Sequence, residues 1–141
     1  MAAFNWFNSF SETLAEKVHN LGADNITIAL SNTAPGAADT VFAPLTAHPP
    51  PAAANGYAVA VAPVASSVNA AGNYTLTFGT PVVFTAVGGQ IGPFRYVIFY
   101  NDSAAADEVI GWLDYGSSLT LEADETFTVD LTATTLTLTK A

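Results

Sequence analysis

Close to the N-terminus, large apolar residues recur at every third or fourth position. The recurring residues are Trp6, Phe10, Leu14, Val18 and Leu21. This spacing places them on one face of a helix with 3.6 residues per turn, and it predicts a helix over about residues 9–20. Three aromatic residues, Phe4, Trp6 and Phe7, precede the start of the predicted helix and form an aromatic arm. The arm and the helix together span about residues 4–21.

Both ends of the predicted helix carry capping signals. Ser9 followed by Glu12 fits a capping box, in which each side chain bonds the other residue's backbone N–H. Lys17 and His19 would lie in the last turn, where cations oppose the negative end of the helix dipole. Gly22 would then follow the helix in the left-handed conformation that often ends one.

After the helix, the apolar period changes from about 3.6 to two, which is typical of half-buried strands. Segments of this kind lie at about residues 26–30, 57–61, 74–78, 81–85, 94–100, 108–115, 119–121, 126–131 and 136–138. The segment 94–100 is nearly continuously apolar and predicts a central strand buried on both faces. No second helix is available for parallel crossovers. We therefore expect an all-β, antiparallel, jelly-roll-like β-sandwich with one N-terminal α-helix, folded as a single domain over residues 1–141.

A long Ala/Pro-rich loop is predicted at about residues 32–56. It contains three consecutive prolines, Pro49, Pro50 and Pro51, which favour an extended polyproline II conformation and exclude a central strand. Loops of this length in compact domains are often functional. Two interpretations stay open, a docking arm for a partner or a surface excursion without one.

The charge balance limits the possible partners. Twelve acidic residues face three basic ones, for a formal net charge of −9, so a basic patch for nucleic acid or an anionic membrane is not expected. Only 11% of residues are charged, against about 25% in typical domains. Such a surface loses water easily, which favours a protein packed against neighbours. There is no cysteine, recognisable signal peptide or apolar membrane span, so we expect a soluble protein made inside the cell.

No catalytic, cofactor-binding or metal-binding residue is predicted. The two histidines, His19 and His48, are the only ordinary bases, and no Gly-x-Ser-x-Gly motif accompanies them. The candidates for a glycosidase pair of carboxylates are Asp114, Glu122, Asp124, Glu125 and Asp130, but turn or solvent positions explain most of them. A calcium site at Asn101, Asp102 and Asp107 is a weaker alternative to a simple turn.

Two further groups of residues have structural explanations. Arg95 and Asp114 are expected to form a buried ion pair, since each accounts for the other's charge. The aromatic residues late in the chain are candidates for a sugar-stacking platform; they are Tyr96, Phe99, Tyr100, Trp112 and Tyr115. Core and cross-strand packing is the preferred interpretation for them.

Several segments resemble a family of small structural proteins from tailed phages. The resemblance rests on IGPFRYVIFYND at 91–102, IGWLDYGSS at 110–118 and ETFTVD at 125–130, with HNLG at 19–22 and LSNTAP at 30–35. It covers most of the chain and is poorest over about residues 43–72. The run Pro49–Pro51 departs from the more polar, Gly-Asn-Gly-like stretch of the family, so loop contacts do not transfer.

The family resemblance implies a role on the virion. Its best-described members are similar to capsid cement or decoration proteins with a jelly-roll domain, which implies the major capsid protein as partner, a homo-oligomer such as a dimer, and a place on the capsid surface after synthesis in the bacterial cytoplasm. Phe4, Trp6, Phe7 and the prolines 49–51 are the expected interface residues, because buried aromatic residues dominate binding. A tail or baseplate component and a carbohydrate-binding module for host adhesion are the alternatives.

Overall fold

The computed structural model describes residues 3–43, 54–132 and 135–139. Its elements along the chain are β1 (Phe4–Trp6), α1 (Phe10–Ala15), β2 (Ile26–Ser31), β3 (Ala60–Val61), β4 (Val64–Ala70), β5 (Asn73–Phe78), β6 (Val82–Thr85), β7 (Ile91–Asn101), β8 (Val109–Leu121), β9 (Thr126–Val129) and β10 (Thr135–Leu138). No helix of the described residues is long and apolar enough to cross a membrane.

The strands form three antiparallel sheets. A five-stranded sheet has the order β1-β8-β7-β2-β3, a three-stranded sheet the order β10-β5-β4, and β6 pairs with β9. One apolar core joins all three, because Phe99 of the first, Leu76 of the second and Phe84 of the third belong to the same buried cluster. The arrangement is sandwich-like, and the predicted all-β antiparallel class with one helix is confirmed.

The five-stranded sheet is also covered on its other face. There Phe7 and Phe42, both from segments outside the strands, pack with Ile98 and Tyr100 of β7. The rings of Phe42 and Tyr100 stack in parallel at 4.2 Å between centroids. Strand β7 is therefore buried on both faces, as its continuous apolar sequence predicts. The described start of the long loop, residues 32–43, supplies Phe42 and is part of the fold.

Helix α1 is shorter than predicted and ends differently. It stops at Ala15, where the N–H of Lys17 bonds the carbonyl of Leu14 at 3.3 Å and that of Val18 bonds Thr13 at 2.8 Å. This bond pair is a Schellman ending, with Lys17 at φ 66° in the place that glycine usually takes. The predicted ending at Gly22 and the placement of His19 in the last turn are therefore wrong.

The predicted capping box is also absent. Ser9 has a helical backbone conformation, and its side chain makes no capping bond to α1. The Ser9 hydroxyl instead donates to the carbonyl of Asp39 at 3.4 Å, which ties the helix start to the loop that follows β2. Ser9 thus has the sequence spacing of a capping residue, but its side chain makes a tertiary contact instead.

Tyr57 lies just before β3, and its side chain bonds β2 where strand pairing is absent. Only Ala60 and Val61 pair with β2, so the predicted strand 57–61 is mostly not a strand. The hydroxyl of Tyr57 accepts the N–H of Leu30 at 3.0 Å, and its ring lies in the core. Burial raises the pKa of this phenol above its ordinary value, so the bonded hydroxyl stays protonated.

Candidate interaction surface

The aromatic arm of the sequence prediction is strand β1, an edge of the five-stranded sheet. Phe4 pairs with Leu113 of β8, and its ring meets Phe99 edge-on at 5.2 Å. Phe7 is only 2% exposed and lies in the cluster on the outer face of that sheet. As an interface anchor Phe7 was wrongly chosen, because its ring fills the domain's own core. Trp6 is the one ring of the three that is substantially exposed, at 37%.

Trp6 lines a cleft between β1 and β10. Its indole stacks on the buried Phe10 ring at 4.6 Å, which fixes its position. The cleft has a volume of about 340 Å³, and its lining consists of Trp6, Phe7, Asn8, Phe10, Ser11, Thr137 and Leu138. The lining contains no charged side chain. Because Leu138 is also 39% exposed, the cleft offers two large apolar side chains to a partner.

The three-stranded sheet continues this uncharged surface. None of the residues of β4, β5 and β10 is charged, and the chain has no acidic residue between Asp39 and Asp102. A second shallow cleft, lined in part by Leu14, Tyr74 and Leu138, joins the sheet to α1. The acidic residues of this chain thus lie on the remaining segments, and the cleft and the three-stranded sheet form a neutral region.

The predicted ion pair between Arg95 and Asp114 is present. The guanidinium donates to both carboxylate oxygens, from Nε at 2.7 Å and from Nη2 at 2.9 Å. The pair is not buried as expected, since the two side chains are 38% and 36% exposed. The hydrogen bonds from Arg95, followed by one from the Gly116 N–H, lower the pKa of Asp114 below its usual range. The bidentate contact links β7 to β8 at an exposed part of the sheet surface.

His19 belongs to a buried polar network. Its Nδ1 lies 3.1 Å from the amide nitrogen of Asn101, which also donates to Asp24 Oδ2 at 2.6 Å. The Asn101 oxygen accepts the N–H of Ser103 at 3.0 Å, which fixes the orientation of the amide. Burial lowers the pKa of His19, against the opposing charges of Glu108 and Asp24. This network pins the turn after α1 to the end of β7.

The arrangement of these side chains does not favour the alternative calcium site. Asn101 is fully buried, and its amide is engaged with His19, Asp24 and Ser103. Within the described ranges, no group of three or more acidic, histidine or cysteine side chains is placed to hold a metal ion. The positions of Asn101 and Ser103 fit the turn that was the competing explanation.

The late aromatic residues divide between core and surface. Phe99 and Tyr100 are buried, and Trp112 is half-buried with its ring 4.6 Å from Phe7. Tyr115, at 53% exposure, is the most open of them and touches Phe127 edge-on. Tyr96 is half-buried, so Tyr115 is the one widely exposed ring of the five, and together they offer no broad open surface of the kind that the sugar-stacking alternative needs.

The other acidic candidates lie in turns. Glu122 accepts the side-chain amide of Gln90 at 2.7 and 2.8 Å, and its N–H bonds Glu125. Asp130 accepts the N–H and hydroxyl of Thr132, and these bonds lower its pKa. Each carboxylate thus orders its own loop. The predicted interface prolines, Pro49, Pro50 and Pro51, and His48 lie outside the described residues.

Comparison with known proteins found no family model that matches this chain. No curated protein matches it, and no solved structure does.

Proposed function

We propose that this chain is a virion structural protein of a tailed phage, a cement or decoration protein that binds the shell of the major capsid protein and stabilises it. The observation that carries the proposal is the exposed Trp6 at the uncharged cleft between β1 and β10. The phage resemblance of the segments 91–102, 110–118 and 125–130 supports it. The protein would then lie on the outer surface of the capsid.

The cleft has the composition of a binding centre. Interfaces are typically built around aromatic side chains whose surroundings lose water easily, with charged groups kept to the rim. Trp6 is held from behind by Phe10, so little side-chain freedom remains to be lost on binding. Asn8, Ser11 and Thr137 provide neutral polar groups around it.

The low charge of the chain also suits a repeated shell. A capsid presents many identical sites, and weak contacts made by a linked or oligomeric binder gain from effective concentration. A neutral contact region avoids the cost of desolvating ions at each site. The acidic residues remain on other parts of the molecule, where they keep it soluble.

The test uses heads of the encoding phage that lack this protein. Purified chain should co-sediment with them and raise the temperature at which they release DNA. Trp6→Ser should weaken binding by about tenfold or more, since truncation of a central aromatic residue commonly costs over 1.4 kcal/mol. Tyr115→Ser is the matched control, because Tyr115 is exposed on a different strand, and it should bind normally.

Three results would contradict the proposal. One is that heads are equally heat-resistant with and without the protein. Another is that Trp6→Ser, shown to be folded by circular dichroism, binds as well as the parent chain. The third is that a specific antibody labels the tail or baseplate of virions. That last result would support the alternative placement in the tail.

A further inference from the structure

Asn55 and Gly56 form the one Asn-Gly dipeptide of the chain. Glycine has no Cβ, so nothing beside its backbone nitrogen screens that nitrogen from the preceding residue. In a flexible chain the glycine nitrogen can therefore attack the asparagine side chain, a reaction that converts the amide into a carboxylate. Each of the other asparagines precedes a larger residue. Residue 55 is thus the asparagine that the sequence makes most open to this modification.

The turn 54–57 holds the dipeptide in a conformation that prevents the attack. The N–H of Tyr57 donates to the carbonyl of Ala54 at 3.0 Å, and φ is 54° at Asn55 and 83° at Gly56. Two central residues with positive φ define a type I′ turn, in which ψ of the first is about +30°. At this ψ the Gly56 nitrogen lies anti to the Cβ of Asn55, too far from the side-chain carbon to react.

The Asn55 side chain is held in place as well. Its Nδ2 donates to the Gln90 carbonyl at 2.7 Å, and the backbone carbonyl of Asn55 accepts the N–H of Val87 at 2.8 Å. A Cβ at Gly89 would lie 2.8 Å from the Asn55 Cγ, so glycine leaves the space that this side chain fills. The loop 86–90 between β6 and β7 therefore fixes both the side chain and the backbone of Asn55.

We propose that Asn55 is a deamidation site that the folded chain protects, and that its modification keeps the turn 54–57 from closing again. When the turn opens, the Gly56 nitrogen bonds to Cγ of Asn55, the Cγ–Nδ2 bond breaks, and ammonia leaves with the Gly56 amide proton. Water then opens the resulting five-membered imide to aspartate or to isoaspartate. No oxidant or reductant takes part.

Either product loses the contact that holds the turn. Aspartate has no N–H for the Gln90 carbonyl and would set a carboxylate oxygen against it, so that two acceptors face each other. Isoaspartate lengthens the backbone within the turn, which displaces the bond between Tyr57 and Ala54. Modified chains should therefore be less stable than the parent chain. The inference does not depend on the proposed function, because it concerns the purified chain alone.

Incubation at neutral pH followed by peptide mapping measures the reaction. Pepsin releases the peptides under acidic conditions that suppress further deamidation, and mass spectrometry then distinguishes carboxyl from amide at each asparagine. Asn55 should deamidate at least about tenfold more slowly in the native chain than in concentrated urea, because the native reaction must wait for a local opening. Equal rates in the two conditions, or a rate in urea no higher at Asn55 than at the other asparagines, would overturn the inference.

Gly89→Ala loosens the Asn55 side chain without changing the Asn-Gly dipeptide. The backbone of Gly89 is not in the left-handed region, and the added Cβ would meet only the flexible end of Asn55. Native deamidation at Asn55 should be several-fold faster in this variant. Gly36→Ala is the matched control, because its Cβ would come no closer than 3.4 Å to any neighbour. Equal rates in the two alanine variants would refute protection by the packing against Gly89.

Asn55→Asp reproduces one product in every molecule and tests its effect on the fold. It should lower Tm by a few degrees, because the bond to the Gln90 carbonyl is lost and a carboxylate replaces the donor. Asn69→Asp, at an exposed position of β4, adds the same charge and is the control; its Tm should stay close to that of the parent chain. An Asn55→Asp chain as stable as Asn69→Asp would contradict the proposed effect of modification.

Discussion

Acidification should destabilise this protein through His19. The Asn101 amide nitrogen donates to His19 Nδ1, so the neutral ring carries its proton on Nε2. Nε2 is buried and has no hydrogen-bond partner among the described residues. A second proton, on Nδ1, would face the Asn101 donor, and Asn101 cannot turn over without bringing its oxygen against Asp24. The folded state therefore resists protonation of this ring.

The sign and size of this pH effect follow from the difference between the pKa of His19 in the folded state and in the unfolded state. Burial lowers the folded pKa of His19, whereas the unfolded chain binds this proton near pH 6.5. The contribution of His19 to stability is thus complete above pH 6.5 and is lost as the pH falls toward the folded pKa. The slope approaches about 1.4 kcal/mol per pH unit. The loss at pH 5.5 is at most about 1.4 kcal/mol, the value for a ring that stays fully neutral, and it lowers Tm by at most about 4 °C.

The assay is urea unfolding at pH 7.5, 6.5 and 5.5, followed by circular dichroism. His19→Asn removes the titrating ring and keeps an acceptor near the position of Nδ1, so its stability should vary less over this range. His48→Asn is the control with the other histidine removed. Asp107 acts with the opposite sign, because burial raises its pKa, and comparison of variants cancels its effect. Equal pH dependence in His19→Asn and the parent chain would refute this reasoning.

Three further substitutions test the fold by thermal or urea unfolding. Tyr57→Phe should cost about 1 kcal/mol, because the hydroxyl that accepts the Leu30 N–H is lost; no change would show that this bond is not needed. Ala71→Asn should stabilise by a few tenths to about 1 kcal/mol, since asparagine tolerates the positive φ that Ala71 has in the turn between β4 and β5; a loss of stability would argue against the turn. Gly111→Ala should displace β1, because a Cβ there would overlap the Phe4 ring and lie 2.5 Å from the Asn5 carbonyl oxygen; an unchanged Trp6 fluorescence spectrum, recorded in chains with Trp112→Phe so that Trp6 is the single tryptophan, would contradict this.

Strong alternation predicted the strands whose two faces differ. Asn73–Phe78 and Thr126–Val129 carry apolar and polar residues in turn, and both were located to within a few residues. Ile26–Ser31 is buried on both faces and was located by its large aliphatic residues. Strand β4 was not predicted, because both its faces are exposed and its sequence therefore shows no apolar period. Strand β1 was not predicted, because its three residues are too few to show an apolar period.

The helix and its histidine were misplaced for a related reason. Val18 and Leu21 continue the helical spacing, but the chain has already turned at Lys17, and Leu21 reaches the core from a loop. The spacing of apolar residues indicates which residues are buried, but it does not indicate the backbone conformation between them. The ion pair of Arg95 and Asp114 was predictable from the scarcity of cations, whereas the exposure of the two side chains was not.

Strand β7 is enclosed on four sides, with β2 and β8 along its edges and an apolar cluster against each face. Its amide protons can meet solvent only when neighbouring elements separate, so their hydrogen exchange should report the global unfolding free energy. Amides on the outer side of β4, the last strand of its sheet, should exchange through small local openings. The two strands thus mark the extremes of local stability within a single small chain.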